Sequence, residues 1–254
     1  MQFLLLLAFI TINWLLTMLG SSLVFFTKKQ NQKLVSIALG SSGGIMIAAS
    51  FFSLLLPAIN MYEEKGFLTL CLIPIGFISG VFFLRLLDMF LPHEHMISHI
   101  QEGLPNHFNK NSLLFFAMTL HNIPEGLAVG IAFASSDYLL SAMILSIGIG
   151  IQNFPEGTAI SLPMHSCGLS KFRSFMYGQY SGLVEIPSAI IGYIFANLLT
   201  NLLPFALSFA AGAMIFVCIE DIIPEAMNNQ YRDESALSLM IGFVIMMCLD
   251  IFLS

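Results

Sequence analysis

Charge is what this chain has least of. Only 9% of its 254 residues are Asp, Glu, Lys or Arg, against about 25% in an ordinary soluble domain. With 57% hydrophobic residues and a mean hydropathy of +0.87, too little polar surface exists to clothe a soluble core. The composition leaves a polytopic membrane protein. Other absences narrow the class further. The four cysteines, Cys71, Cys167, Cys218 and Cys248, occur singly with no CxxC spacing, which excludes a disulfide framework or a zinc knot and makes them packing residues. No ten-residue alternation of apolar and polar residues marks an outer-membrane barrel. No nucleotide-binding motif is present to power an ATP-driven pump, and no HExxH marks a zinc protease. The net charge of −6 does not signal nucleic acid, because most of the acids lie inside apolar runs rather than on a patch or tail. A cleaved leader is excluded as well, since Lys28 and Lys29 follow the first apolar run instead of preceding it.

What is there is a series of long apolar runs. A helix needs about 20 apolar residues to cross the hydrocarbon, and eight segments qualify, at about 3–26, 34–59, 67–90, 112–134, 138–163, 172–197, 203–227 and 236–253. Helix is the state that satisfies their backbone groups in lipid. The expected fold is an all-α membrane protein, one polytopic domain over residues 1–254 with eight transmembrane helices. Lys28, Lys29, Lys33, Arg85, Lys110, Lys171, Arg173 and Arg232 fall on one side of this arrangement and only Lys65 on the other. The positive-inside rule then places those loops in the cytoplasm and both termini outside. The loop at 91–111 carries His93, His95, His99 and His107 with Glu94 and Glu102, a composition that fits either a solvated loop or one that samples metal.

Two near-copies of a polar cassette interrupt the apolar pattern: His121-Asn122-Ile123-Pro124-Glu125-Gly126 in span 4 and Gln152-Asn153-Phe154-Pro155-Glu156-Gly157 in span 5. His121 and Asn122 stand four and three residues before Glu125, so the three share one helical face, and Gln152, Asn153 and Glu156 repeat the arrangement. Two facing helices so built can bring two carboxylates and four N or O donors to one centre. Each proline deletes a ladder bond, freeing the carbonyls of Leu120 and Ile151 for a cation and kinking the helix there. Gly126 and Gly157 permit close helix approach. A carboxylate at bilayer depth costs about 2.5–3.5 kcal/mol on insertion scales, so a repeated one calls for a compensating function.

More acids lie at similar depth. Glu185 is central in span 6, and Glu220, Asp221 and Glu225 follow in Glu220-Asp221-Ile222-Ile223-Pro224-Glu225. Glu185 reads as a ligand, Glu220 and Asp221 as pathway lining or satisfied contacts, Glu225 as an exit vestibule or a solvated residue, and Asp250 as interfacial or at an entrance. No Lys or Arg occurs within spans 4 to 8 except at the cytoplasmic end of span 6. A mobile cation or protons must therefore compensate the carboxylates. Imidazole, carboxylate and amide oxygen without thiolate suit Zn²⁺, Fe²⁺, Mn²⁺, Co²⁺ or Cd²⁺, and not Cu⁺. Met46, in a small-residue stretch of span 2, reads by itself as core.

These motifs, together with Ser181-Gly182-x-x-Glu185 in span 6 and Glu220-Asp221-x-x-Pro224-Glu225 in span 7, resemble the ZIP (Zrt-, Irt-like) divalent metal transporters, and in particular their bacterial GufA-like branch. The resemblance implies a binuclear centre between spans 4 and 5. One ion would have His121, Glu125, Gln152 and Glu156, with Met46 touching it; the other would have Asn122, Asn153 and Glu185, and the two glutamates would bridge. Many members carry His at the place of Gln152 and some carry Asp at the place of Asn153, so this chain offers one imidazole and fewer charges. The resemblance also implies inverted symmetry of spans 1–3 and 6–8 around spans 4–5, homodimers, and rocking or elevator-like motion.

The expected function is secondary transport of divalent transition metal, Zn²⁺ first, down its gradient across the cell membrane into the cytoplasm. The metal is cargo and no cofactor is expected; the partners are metal ions and the lipid bilayer, with no nucleic acid. A proton-linked cycle fits carboxylates that must deprotonate to bind metal. The rival readings are an intramembrane metalloenzyme activating water at the same site and a metal sensor without flux.

Overall fold

The computed structural model describes residues 1–27, 32–65, 67–94, 101–104, 107, 110–134, 138–198, 202–228 and 230–253. The chain is helical almost throughout, as segments this apolar must be where no water serves their backbone. In order come α1 (Gln2–Ser21), α2 (Gln32–Ala49), α3 (Leu56–Lys65), α4 (Phe67–Phe90), α5 (Lys110–Phe133), α6 (Leu139–Ser166), α7 (Lys171–Leu183), α8 (Glu185–Leu198), α9 (Leu203–Val217), α10 (Ile223–Met227) and α11 (Arg232–Leu253). Two two-residue strands, β1 (His93–Glu94) and β2 (Gln101–Glu102), pair antiparallel after α4. By length and apolarity six helical stretches among the described residues can cross a membrane: Gln2–Phe25, Gln32–Met61, Cys71–Phe90, Lys171–Leu198, Leu203–Met227 and Arg232–Leu253. The chain is thus an all-α, multi-pass membrane protein. α5 and α6 fall outside those six because their mid-helix cassettes dilute their apolar character.

Two expected spans are internally divided. Six residues of π-helix, Ser50–Leu55, join α2 to α3, and five more, Cys218–Ile222, join α9 to α10. Each π segment stands just before a proline, Pro57 and Pro224. A proline cannot donate to the preceding turn, and a widened turn accommodates the loss. Span 6 changes helix at Val184, between α7 and α8. By contrast α5 and α6 run unbroken through Pro124 and Pro155. The prolines there withdraw hydrogen bonds without ending the helix.

The helices sort into two bundles by their packing. α1, α5, α6, α7 and α8 pack on one another, as do α2, α3, α4, α9, α10 and α11, and the bundles meet chiefly where α2 faces α6 and α5 faces α9. Four glycine pairs at i, i+4 seam helices within bundles. Gly40 and Gly44 lie against Ser235 and Leu239 of α11, Gly76 and Gly80 against Phe205 and Phe209 of α9, Gly126 and Gly130 against Glu185 and Ala189 of α8, and Gly178 and Gly182 against Ser21 and Thr17 of α1. Lipid does not drive helices together by a hydrophobic effect, so close backbone approach at small residues supplies the packing. The seam at Gly126 matters most for the site, since a Cβ there would lie 2.5 Å from the Glu185 carbonyl oxygen and 2.8 Å from Ser188 Cβ.

Candidate metal centre

The cassette residues are buried at the meeting of the bundles. His121, Asn122 and Glu125 of α5, Gln152, Asn153 and Glu156 of α6, Glu185 of α8 and Met46 of α2 are each no more than 7% exposed. Glu125 lies beside Gln152 and Glu156 and in the field of Glu185. Among the described residues no Lys or Arg pairs with Glu125, Glu156 or Glu185. Both oxygens of Glu125, both polar atoms of the Gln152 amide, Asn153 Oδ1, Glu185 Oε2 and His121 Nδ1 are buried without a hydrogen-bond partner. Buried polar groups are normally satisfied, and so many orphans in one place mark a site built for something else.

The remaining atoms of these side chains are held from behind. Asn153 Nδ2 donates to Glu185 Oε1 at 2.8 Å and to the Asn13 carbonyl at 3.4 Å. Ser42 Oγ of α2 donates to Glu156 Oε1 at 2.8 Å, and His121 Nε2 lies 3.2 Å from Asp221 Oδ2. The last two contacts cross from one bundle to the other. Met46 stands one turn beyond Ser42 on the same face of α2, fully buried in the hydrophobic core. No set of three or more His, Cys, Asp or Glu among the described residues is drawn tightly enough to hold an ion.

On the side of His121 where α5 begins, a narrow cavity is lined by Asp88, His93, His121 and Asp221 with Leu84 and Phe216. The reading of 91–111 as a solvated loop fails for His93, which is 2% exposed. Its Nε2 lies 2.9 Å from Asp88 Oδ1 and its Nδ1 2.9 Å from the Leu91 carbonyl. Both ring nitrogens therefore face acceptors, and the imidazolium satisfies both. Burial by itself would lower the His93 pKa, but the Asp88 hydrogen bond, the Leu91 carbonyl and the charges of Asp88 and Asp221 outweigh it and raise it. His107 is exposed, and His95 and His99 lie outside the described residues.

The idea that the span 7 acids lack protein counter-charges also needs correction. Arg85 of α4 reaches Glu220 Oε1 at 3.0 Å and Asp88 Oδ2 at 2.6 Å. The counter-charge comes from span 3, which a scan restricted to spans 4–8 misses. Glu225 is buried in α10. Asp250 is 6% exposed and accepts from Ser53 Oγ at 2.9 Å, a buried pair rather than an interfacial acid. Sequence reasoning passed over Asn13, Ser42, Asp88 and the position of Cys218, whose thiol faces the Gly43 carbonyl and lies in the field of Glu125, Glu156 and Asp221. A lone Asn midway along an apolar span was the available signal for Asn13; Ser42 offered none beyond its small-residue surroundings.

The arrangement suits reversible capture of a hard or borderline cation: buried carboxylates with no Lys or Arg beside them among the described residues, one imidazole, and amide oxygens that have no hydrogen-bond partner. Comparison with known proteins agrees. The profile of the family described as ZIP Zinc transporter matches residues 93–250. Zinc transporter ZIP11 of Homo sapiens is 33% identical over 94% of this chain and 94% of its own length. Zinc transporter GufA of Myxococcus xanthus is 34% identical over 93% of this chain and 94% of its own length, and Zinc transporter ZIPB of Bordetella bronchiseptica is 34% identical over 92% and 76%. Cassettes, buried carboxylates and end-to-end similarity converge on one conclusion: the chain belongs to the ZIP family.

Proposed function

We propose that this protein is a secondary transporter that carries divalent transition metal, Zn²⁺ first and Fe²⁺, Mn²⁺, Co²⁺ and Cd²⁺ as further candidates, across the cell membrane into the cytoplasm. Members of its family are transporters, which removes the metalloenzyme reading. The observation that carries the proposal is the group of orphaned polar atoms on Glu125, Gln152, Asn153 and Glu185. A dication entering there gains ligands that have no competing protein partner and relieves their mutual repulsion.

In this reading His121, Glu125, Gln152 and Glu156 hold one ion, with Met46 beside it. Asn122, Asn153 and Glu185 hold a second, and Glu125 and Glu156 are shared. Ligation draws Glu156 off Ser42 and His121 off Asp221, so loading the site exchanges two bonds between bundles for bonds to the cargo. One bundle is then free to shift against the other, the rocking or elevator motion that alternating access needs. The ion leaves past His121 towards Asp221, Asp88 and His93. Eight spans with outward termini, inverted pairing of spans 1–3 with 6–8 and a homodimer complete the proposal. The matching π segments ahead of Pro57 and Pro224 support the inverted pairing of spans 2 and 7.

The test is uptake of radiolabelled zinc into proteoliposomes holding the purified protein, with Fe²⁺, Mn²⁺, Co²⁺ and Cd²⁺ as competitors. Gradient-driven uptake that is lost in Glu125→Gln supports the proposal. Zinc binding without any flux would identify a sensor instead.

A further inference from the structure

We propose that Asn13, in the middle of α1, is a positioning residue that aims the carbonyl oxygen of Asn153 at the cargo ion. This rests on the reading of Asn153 as a metal ligand and extends it to a helix that contributes no ligand of its own.

Asn13 belongs to the buried stripe Leu6, Ile10, Asn13, Thr17, Gly20 of α1, and it is 1% exposed. A polar amide at that depth is costly unless all its hydrogen bonds are made. The orientation that satisfies both ends of the amide has Nδ2 donating to the Phe9 carbonyl at 3.2 Å and the Ser146 carbonyl at 3.0 Å, while Oδ1 accepts from Ser146 Oγ at 3.2 Å. The side chain thereby clamps α1 to α6 at one turn. Gly150 leaves room for it, since a Cβ there would lie 2.8 Å from the Asn13 amide. Ser146, Gly150 and Asn153 recur at i, i+4 and i+7, the single face of α6 that looks at Asn13.

The clamp fixes where the Asn13 backbone carbonyl sits. That carbonyl, also taken by Thr17 Oγ1 at 3.3 Å, accepts from Asn153 Nδ2 at 3.4 Å, and Glu185 Oε1 accepts from the same nitrogen at 2.8 Å. Two acceptors on the nitrogen side leave the amide one orientation. Its oxygen faces the other way, buried and with no hydrogen-bond partner. An amide turned by 180° would set oxygen against oxygen at Glu185 and at Asn13, so the network excludes it. Asn13 thus presents Asn153 Oδ1 to the centre already desolvated and oriented, as supporting partners of metal ligands generally do.

Three full-length variants in zinc-uptake proteoliposomes test this: Asn13→Ala, Asn153→Ala and the double variant. Loss of a supporting partner costs about 10–100-fold in metal affinity. Asn13→Ala should therefore raise the KM for zinc about tenfold or more, with the maximal rate much less changed. The double variant should be no worse than Asn153→Ala, because both remove one oriented oxygen. Additive losses would make Asn13 merely structural and overturn the proposal. An unchanged KM in Asn13→Ala beside a raised one in Asn153→Ala would remove the positioning role and leave the ligand standing. An unchanged KM in Asn153→Ala would remove both. Where Asn13→Ala fails to fold, Ser146→Ala, which deletes one arm of the clamp, should raise the KM in the same direction by a smaller factor; no rise overturns the role.

Discussion

At the residue scale the protein's main expense is carboxylate burial without a basic partner. Glu125, Glu156 and Glu185 are at most 2% exposed. Replacing such a carboxylate by the neutral amide of the same shape removes the cost of burying an unpaired charge. Glu125→Gln should therefore lower zinc uptake at least tenfold, on the order expected for a lost metal ligand, while its melting temperature in detergent stays level or rises. A parallel fall of melting temperature and uptake would mean a structural carboxylate. His121→Ala should likewise lose uptake with insertion intact. Cys167→Ser should transport like the parent, since Cys167 is exposed.

At the element scale, the glycine seams and the buried His93–Asp88 pair give separate tests. At Gly126, α5 touches the backbone of α8 beside Glu185. A leucine there forces the helices apart, and overpacking costs typically about 1–3 kcal/mol. Gly126→Leu should lower the melting temperature and weaken zinc binding together, because the same shift displaces Glu185; a variant that melts normally and transports normally would refute the seam. The His93–Asp88 pair carries a pH signature. A raised folded pKa means that the stabilisation is full below the ordinary imidazole value of about 6.5 and is lost as pH rises through the folded value. Parent and His93→Gln should differ most in melting temperature near pH 6 and converge on the alkaline side. A difference flat across that range would exclude an imidazolium bonded to Asp88.

At the scale of the whole molecule, two bundles meet at the cassettes, and the contacts Ser42 to Glu156 and His121 to Asp221 cross between them. Carboxylates that bind metal must give up protons and can regain them on release. Zinc uptake should accordingly fall at acidic pH and be accompanied by proton counterflow, read with a pH dye inside the vesicles. Uptake indifferent to pH and without proton movement would leave facilitated diffusion alone. Family, membrane class and cassette spacing were legible because 3.6-residue periodicity and long apolar runs are local signals. Arg85 beside Glu220, the burial of His93 and the Ser53 to Asp250 pair were not, because each joins residues that only packing brings together.

The order of residues alone determined that this chain lives in lipid, that it belongs with the ZIP transporters, and that spans 4 and 5 carry a repeated polar cassette with Glu125 and Glu156. Composition and spacing suffice for that, because lipid punishes every polar atom placed without purpose. Tertiary structure decided which atoms of the cassettes are left over. Asn13 takes a hydrogen bond of Asn153, Ser42 and Asp221 of the second bundle hold Glu156 and His121, and the remaining atoms stay buried and unpaired. Such an outcome depends on distances between helices remote in sequence, and no periodicity within one helix encodes them.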